Sequence, residues 1–214
     1  MKSATKHAEE LRSLFKRLLK EHKPGPIEKQ EPLKALVRGA MSYDMPDTRA
    51  DEAMKAIDKE FVDLNELRVA TDLEIQELLG NRYPLIEKRV AMITLSLNAI
   101  FEKEHTLNLD RLATISKRDA RQFLRDLPDV HPFVEAYVML YAFDGHTIPV
   151  DEQTVEYLKG EEVVEPDTDV EECQRFLEHH VKAEECHDFF TAVRVAAAAA
   201  NTGGEDKKKK KAKA

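Results

Sequence analysis

The sequence predicts an all-α protein. Apolar residues recur at steps of three and four along most of the chain, and no segment alternates apolar and polar residues long enough to indicate a strand. The composition is typical of a globular protein, with 35% charged residues, 42% hydrophobic residues and only 7 glycines among 214 residues. A chain of this length can bury a sizeable core. No apolar run approaches the ~18 residues of a membrane span, so no membrane association is expected.

Prolines divide the first half of the chain into helices. The first helix has one apolar face, formed by Leu11, Leu14, Phe15, Leu18 and Leu19. Three prolines and a glycine in KPGPIEKQEP, residues 23–32, end it. A second helix begins at Leu33, and Asp47 or Thr48 is placed to cap a third. Further helical patterns cover about 49–60, 63–69, 72–79, 85–103, 109–113 and 116–126.

The second half contains the most apolar predicted helix. Residues 133–143, FVEAYVMLYAF, include one charge, Glu135, which indicates a helix buried on all sides. Asp151 follows the loop DGHTIPV and is placed as the N-cap of the next helix. Two more helices are predicted over about 170–182 and 184–200. The tail, residues 201–214, is a polar lysine-rich segment predicted to be disordered.

Charge is distributed unevenly between the tail and the body. Residues 205–213 contain six lysines against Glu205 and Asp206, a net of +4, and the total of −8 therefore leaves −12 on the remainder. An acidic body disfavours nucleic acid as a partner. Any affinity for double-stranded DNA is therefore expected to be weak and assisted by the tail. Two cysteines make no disulfide framework, which indicates a reducing, cytoplasmic setting.

Residues 127–151, LPDVHPFVEAYVMLYAFDGHTIPVD, resemble the helix-hairpin-helix and catalytic-aspartate segment of the endonuclease III superfamily of DNA glycosylases. The family pattern, Leu-Pro-Gly-Val-Gly before a Thr-Ala helix and then a Val-Asp pair, overlays this segment without a gap. A weaker likeness extends over about residues 33–195. The resemblance implies a two-lobed, all-α helix-hairpin-helix fold over residues 1–200 with a central interlobe cleft. One lobe would span about 33–145, and the other 1–30 plus 152–200.

The resemblance also assigns roles to particular residues. Pro128, Asp129, Val130 and His131 would form the hairpin that presents backbone N–H groups to a DNA phosphate. Asp151 would be catalytic, facing a base flipped out of the duplex and stabilising positive charge on its sugar. The function implied is that of a DNA glycosylase of base-excision repair.

The segment departs from the family pattern at several positions. Asp129 and His131 replace both hairpin glycines, and Asp129 places a carboxylate where a phosphate would lie. Bifunctional members have a lysine nucleophile eighteen residues before the aspartate, where this chain has Phe133. Asp44 falls near the family glutamine that fills the gap left by the flipped base. Two cysteines cannot hold the iron–sulfur cluster that many members bind with four, so no cofactor is expected.

Two functional alternatives remain open from the sequence. One is a divergent, hydrolytic glycosylase without lyase activity, and the other is a non-catalytic module that binds DNA or an unidentified protein. No metal site is expected either, because the spacing of Cys173, His179, His180, Cys186 and His187 matches no familiar zinc pattern. On either alternative, Asp151→Asn should change stability little, because asparagine caps a helix as well as aspartate does.

Overall fold

The computed structural model describes residues 2–211, with side chains over residues 6–201. The α-helices are α1 (Lys2–His22), α2 (Pro32–Ser42), α3 (Asp47–Glu60), α4 (Leu64–Val69), α5 (Asp72–Leu79), α6 (Ile86–Glu104), α7 (Lys117–Arg125), α8 (Pro132–Phe143), α9 (Glu152–Gly160), α10 (Val170–His180) and α11 (Cys186–Lys211). Short 3₁₀ helices lie at Asp110–Ala113 and Ala183–Glu185. Residues 2–211 contain no strand, which confirms the predicted all-α class. None of the helices in this range is long and apolar enough to cross a membrane.

Most helices begin at the polar residues that the sequence offers. Asp63, Thr71 and Ser116 cap α4, α5 and α7, and Thr71 forms a reciprocal capping box with Glu74. The predicted cap of α3 is wrong. Pro46 occupies that position without a side-chain hydrogen bond, because its ring already holds φ near the −62° observed there. Residues 201–214 were predicted to be disordered. Side chains after residue 201 lie outside the described range, so this disorder stays a prediction.

The chain divides into two compact units. The middle unit, Glu28–Gly145, contains α2 to α8, and the terminal unit, Met1–Ile27 with His146–Ala214, contains α1 and α9 to α11. In the terminal unit, α1 packs against α11, where the rings of Phe15 and Phe189 meet edge to face with centroids 5.3 Å apart.

In the middle unit, α8 lies at the centre and packs against α2. Nearly all of its residues are buried, which confirms the predicted burial on all sides. Gly39 permits the close approach of α2, since a Cβ atom at this position would lie 3.3 Å from the Tyr137 ring. The Tyr137 hydroxyl accepts hydrogen bonds from Gln30 Nε2 at 3.1 Å and Arg38 Nε at 2.9 Å. Small-residue packing and a satisfied hydroxyl together fix α2 on α8.

The single charge of α8 joins it to α7. Glu135 is buried, and its carboxylate oxygens accept from Arg121 Nε at 2.6 Å and Arg125 Nε at 2.9 Å. Burial raises the pKa of the Glu135 carboxyl, while the two guanidinium groups oppose that rise. The ion pairs therefore connect the two helices on either side of the hairpin, and they supply the partners that a buried carboxylate needs.

We expect Glu135→Gln to lower the free energy of unfolding by about 1–3 kcal/mol. The amide keeps the volume of the side chain, but it loses the negative charge and replaces one of the two acceptor oxygens with an NH₂ group, whereas the partly exposed arginines retain access to water. Urea denaturation measures the change. Glu156→Gln is the matched control, because Glu156 is exposed and pairs, among the described residues, only with Lys159, so the expected change is below about 0.5 kcal/mol. Equal changes in the two variants would contradict the structural role of Glu135.

Candidate functional site

The hairpin between α7 and α8 contains a residue with a positive φ, although it has no glycine. Asp129 has φ +55°, in the left-handed region that few non-glycine residues adopt, although aspartate tolerates it better than most. The turn closes where the Val130 N–H group donates to the Leu127 carbonyl at 3.4 Å. The Asp129 side chain is exposed. The hairpin therefore has a backbone conformation that glycine adopts readily, but it has a negatively charged side chain at its tip.

Backbone donors of the hairpin are engaged within the chain. The His131 N–H group donates to Met92 Sδ at 3.4 Å, and the Phe133 N–H group donates to His131 Nδ1 at 3.2 Å. Pro132, between them, has no N–H group. His131 thus serves as the N-cap of α8. A phosphate at this hairpin would have to compete with these intramolecular hydrogen bonds for the same donors.

His131 also anchors the hairpin through its ring. The imidazole stacks on Tyr43, with centroids 4.5 Å apart and planes at 3°, and the Arg89 guanidinium lies 3.8 Å from the Tyr43 ring centroid. Arg89 is fully buried and donates to the carbonyls of Pro84, Ala40 and Tyr43 at 2.7–2.8 Å. The sequence analysis missed this cluster. Its signal was an arginine at the edge of the most apolar stretch of α6, where a charge requires buried partners.

Phe133, at the position of the family lysine, belongs to the core. Its side chain is 0% exposed, and its ring lies 6.0 Å from that of Tyr137. A lysine at this position would bury an amine among aromatic and aliphatic groups, at a large cost in free energy. The Phe133 side chain therefore fills this position as part of the core, and does not line an open pocket.

Asp151 caps α9, as the sequence predicted. Its Oδ1 atom accepts from the Thr154 N–H group at 2.9 Å and from Thr154 Oγ1 at 2.7 Å. The loop before it is fixed to α10, because Thr147 Oγ1 donates to Glu178 and His146 Nε2 bonds the Val181 carbonyl. Asp151 itself is only 1% exposed.

The second oxygen of Asp151 is held by an arginine from α11. Arg194 Nη1 donates to Asp151 Oδ2 at 2.9 Å, and Arg194 is 7% exposed. The pair is a buried salt bridge, in which each charge compensates the burial of the other. The sequence analysis did not anticipate Arg194. The available signal was a single charge in the apolar run FFTAVRVAAAAA.

The predicted site residues are divided between the two units. Pro128, Asp129, Val130, His131 and Phe133 belong to the middle unit, whereas Asp151 belongs to the terminal unit together with Thr154 and Arg194.

Both cysteines are buried free thiols. Burial raises the pKa of Cys173 and of Cys186 to about 12, which disfavours the thiolate that binds metals. Among the described residues, no three His, Cys, Asp or Glu side chains gather as a candidate metal site. Two cysteines do not fit an iron–sulfur cluster of the four-cysteine kind.

Solved structures with a similar fold include several DNA glycosylases. Endonuclease III, trapped as a covalent intermediate with DNA, matches with a TM-score of 0.69 and 15% identity, over 87% of this chain and 84% of that one. An 8-oxoguanine glycosylase/lyase of Clostridium acetobutylicum in complex with double-stranded DNA gives 0.72 and 17%, over 92% and 70%. A 3-methyladenine DNA glycosylase of H. pylori gives 0.66 and 14%, over 92% and 98%.

The chain therefore has the helix-hairpin-helix fold of the endonuclease III superfamily, which confirms at the level of the fold the resemblance found in residues 127–151. No protein-family model matches the sequence, and a search of curated proteins gives no match.

Proposed function

We propose that this chain is a non-catalytic binding module on the DNA glycosylase fold, in which Asp151 has become a structural residue. The Asp151–Arg194 pair is the observation that supports this most directly. A catalytic aspartate must direct its negative charge at a sugar that is becoming positive. Asp151 is 1% exposed, and its oxygens already accept from Thr154 and from a buried arginine that neutralises the charge.

The hairpin gives independent support. The N–H groups of Val130, His131 and Phe133 donate within the chain, and the exposed Asp129 carboxylate would repel a phosphate. The residues that replace the family glycines therefore favour an internally stabilised turn over a phosphate site.

A second candidate function is a hydrolytic DNA glycosylase. It is favoured by the position of Asp151, which directly follows Val150 and begins α9, as the family aspartate begins its helix. It is also favoured by fold neighbours that are glycosylases in complex with DNA. Since Phe133 supplies no amine, this enzyme would cleave the base–sugar bond with water and would form no Schiff base at that position.

We expect the wild-type protein to release no base from duplex DNA. The test is a panel of duplexes, each with one damaged or mismatched base, incubated at low salt beside endonuclease III as the positive control. Borohydride should trap no covalent adduct. Release by the wild type that falls by about 10²–10³ in Asp151→Asn would overturn the proposal and establish the hydrolase. Circular dichroism must show that the variant is folded at the assay temperature, because its expected loss of stability is large.

We propose double-stranded DNA as a ligand of the tail rather than of the folded body. The body is acidic, whereas residues 205–213 have six lysines. Each phosphate neutralised on duplex DNA contributes a slope of about −0.9 to log K against log salt. Replacing the six lysines with glutamine keeps the chain length but removes these charges.

The glutamine variant should bind duplex DNA at least ~10-fold more weakly than the wild type at about 50 mM salt, with a slope near zero. Fluorescence anisotropy with a labelled duplex measures both quantities. An unchanged affinity and slope would show that the folded body binds DNA, and would favour the hairpin as a phosphate site.

A further inference from the structure

A groove lined by both apolar and charged residues lies on the middle unit, where α3 ends and α4 and α5 follow. It consists of two adjoining cavities of about 590 and 510 Å³, and Phe61 lines both. None of the lining residues belongs to the hairpin or to the terminal unit. We call this feature the α3–α5 groove. It is separate from the residues to which the family resemblance assigns catalysis.

The larger cavity combines an apolar floor with four carboxylates. Phe61, Val69, Ala70 and Leu78 supply the apolar lining. Glu60, Glu66, Glu74 and Glu77 supply the remainder of the lining, so no basic residue contributes to this cavity. The smaller cavity has one basic residue, Lys34, whose charge is paired with Asp58 at 3.3 Å. Four negative charges around an apolar floor favour a ligand that is both cationic and apolar.

Two carboxylates of the rim are held in place by hydrogen bonds. Glu74 accepts from the Thr71 N–H group and hydroxyl, both at 2.8 Å, and these bonds lower the pKa of its carboxyl. Glu66 accepts from the Val62 N–H group. Glu60 and Glu77 are exposed, and within the described part of the chain neither carboxylate forms a hydrogen bond or ion pair. Their charges are therefore available to a partner.

The groove also leaves apolar side chains in water. Val62 is 92% exposed and lines the smaller cavity together with Leu64, Ile57 and Leu107, and Val69 is 67% exposed in the larger one. Leu73, on α5, is exposed as well. Val62 and Val69 line two cavities that share Phe61, and exposed apolar residues grouped beside charged ones are the usual mark of a protein interaction site.

We infer that the α3–α5 groove docks a basic amphipathic helix of a partner protein. The apolar face of the helix would cover Phe61, Val62 and Val69, and its lysines or arginines would pair with Glu60 and Glu77. A nucleic acid is disfavoured at this face because the carboxylates repel phosphates. The inference goes beyond the proposed function and does not depend on the role of Asp151.

Two synthetic peptides test the inference with the full-length protein. The first is a labelled helix of about 18 residues, five turns, with leucines at i, i+3, i+4 and i+7 spacing and lysines elsewhere. The second has serine at every leucine position and the same charge. Fluorescence anisotropy should show that the leucine peptide binds at least ~10-fold more tightly, because only this peptide covers the apolar floor. Equal affinities would reduce the interaction to nonspecific charge attraction and overturn the inference.

Paired charge reversals locate the binding site. Glu60→Lys with Glu77→Lys should weaken binding of the leucine peptide about 10-fold, because two attractions become repulsions. Glu87→Lys with Glu102→Lys, on exposed positions of α6, changes the net charge equally and should change the affinity less than about twofold. Equal weakening by the two double variants, or no weakening by the first, would overturn the inference.

Two other occupants are distinguishable in the same experiment. If deletion of residues 205–214 strengthens peptide binding several-fold, the chain's own tail occupies the groove, and an external partner is ruled out as its main ligand. If sedimentation velocity shows a dimer that the Glu60→Lys and Glu77→Lys changes dissociate, the occupant is a second copy of the chain. Either result would replace the inferred partner.

Discussion

Asp151→Asn is expected to lower the free energy of unfolding by about 3–5 kcal/mol, the usual cost of removing one member of a buried ion pair. Asparagine can still cap α9 through its side-chain oxygen, since the bonds from Thr154 reach Oδ1. It cannot supply the negative charge that compensates Arg194, which is 7% exposed. This result would reverse the expectation from sequence, which considered only the cap.

Asp169→Asn provides the matched control. Asp169 caps α10 through the Glu172 N–H group at 2.8 Å, but it is exposed. Its replacement should change the free energy of unfolding by well under ~1 kcal/mol. Combining Asp151→Asn with Arg194→Met should recover most of the lost stability, because an apolar residue of similar length then replaces the unpaired charge. Chemical denaturation of the four proteins measures the effects, and equal losses at Asp151 and Asp169 would contradict the role of the salt bridge.

Arg89→Met is expected to be about as destabilising, by roughly 3–5 kcal/mol. The guanidinium is fully buried and bonds three backbone carbonyls, which belong to Ala40, Tyr43 and Pro84. Methionine fills much of the volume but donates no hydrogen bond, so these acceptors lose their partner. The cation–π contact with Tyr43 is lost as well.

Arg175→Met is the control for Arg89. Arg175 is an exposed residue of α10 whose salt bridge to Glu171 spans 3.8 Å, so its replacement should cost less than ~0.5 kcal/mol. Hydrogen exchange provides a second readout, because Tyr43 connects Arg89 to the ring of His131. In Arg89→Met the amides of the hairpin should exchange faster relative to those of α10. A small loss of stability with unchanged exchange at the hairpin would show that Arg89 does not anchor it.

Local patterns predicted the helices well, because spacing, capping residues and prolines act within a few residues. The apolar run of α8 predicted its burial, and Asp151 was identified as a cap from its position before EQTVEYLKG. The cap of α3 was predicted at Asp47 or Thr48, one or two residues too late, because Pro46 takes an N-cap conformation without a side-chain donor or acceptor. The resemblance of residues 127–151 to glycosylases predicted the fold that the structural comparison supports.

The sequence by itself determined the helical class, the cap at Asp151, the missing amine at Phe133 and the two cysteines, since each follows from residue type or from neighbours in the chain. The tertiary structure decided what those residues do. Arg194 is 43 residues from Asp151, and Arg89 is 46 from the Tyr43 carbonyl that it bonds. Such pairs form only when helices that are distant in sequence pack together and exclude water. In that environment an unpaired charge destabilises the fold, whereas a paired charge can join the helices. Local spacing contains no information about which distant helices pack together, so it identified Asp151 as a cap but not Arg194 as its salt-bridge partner.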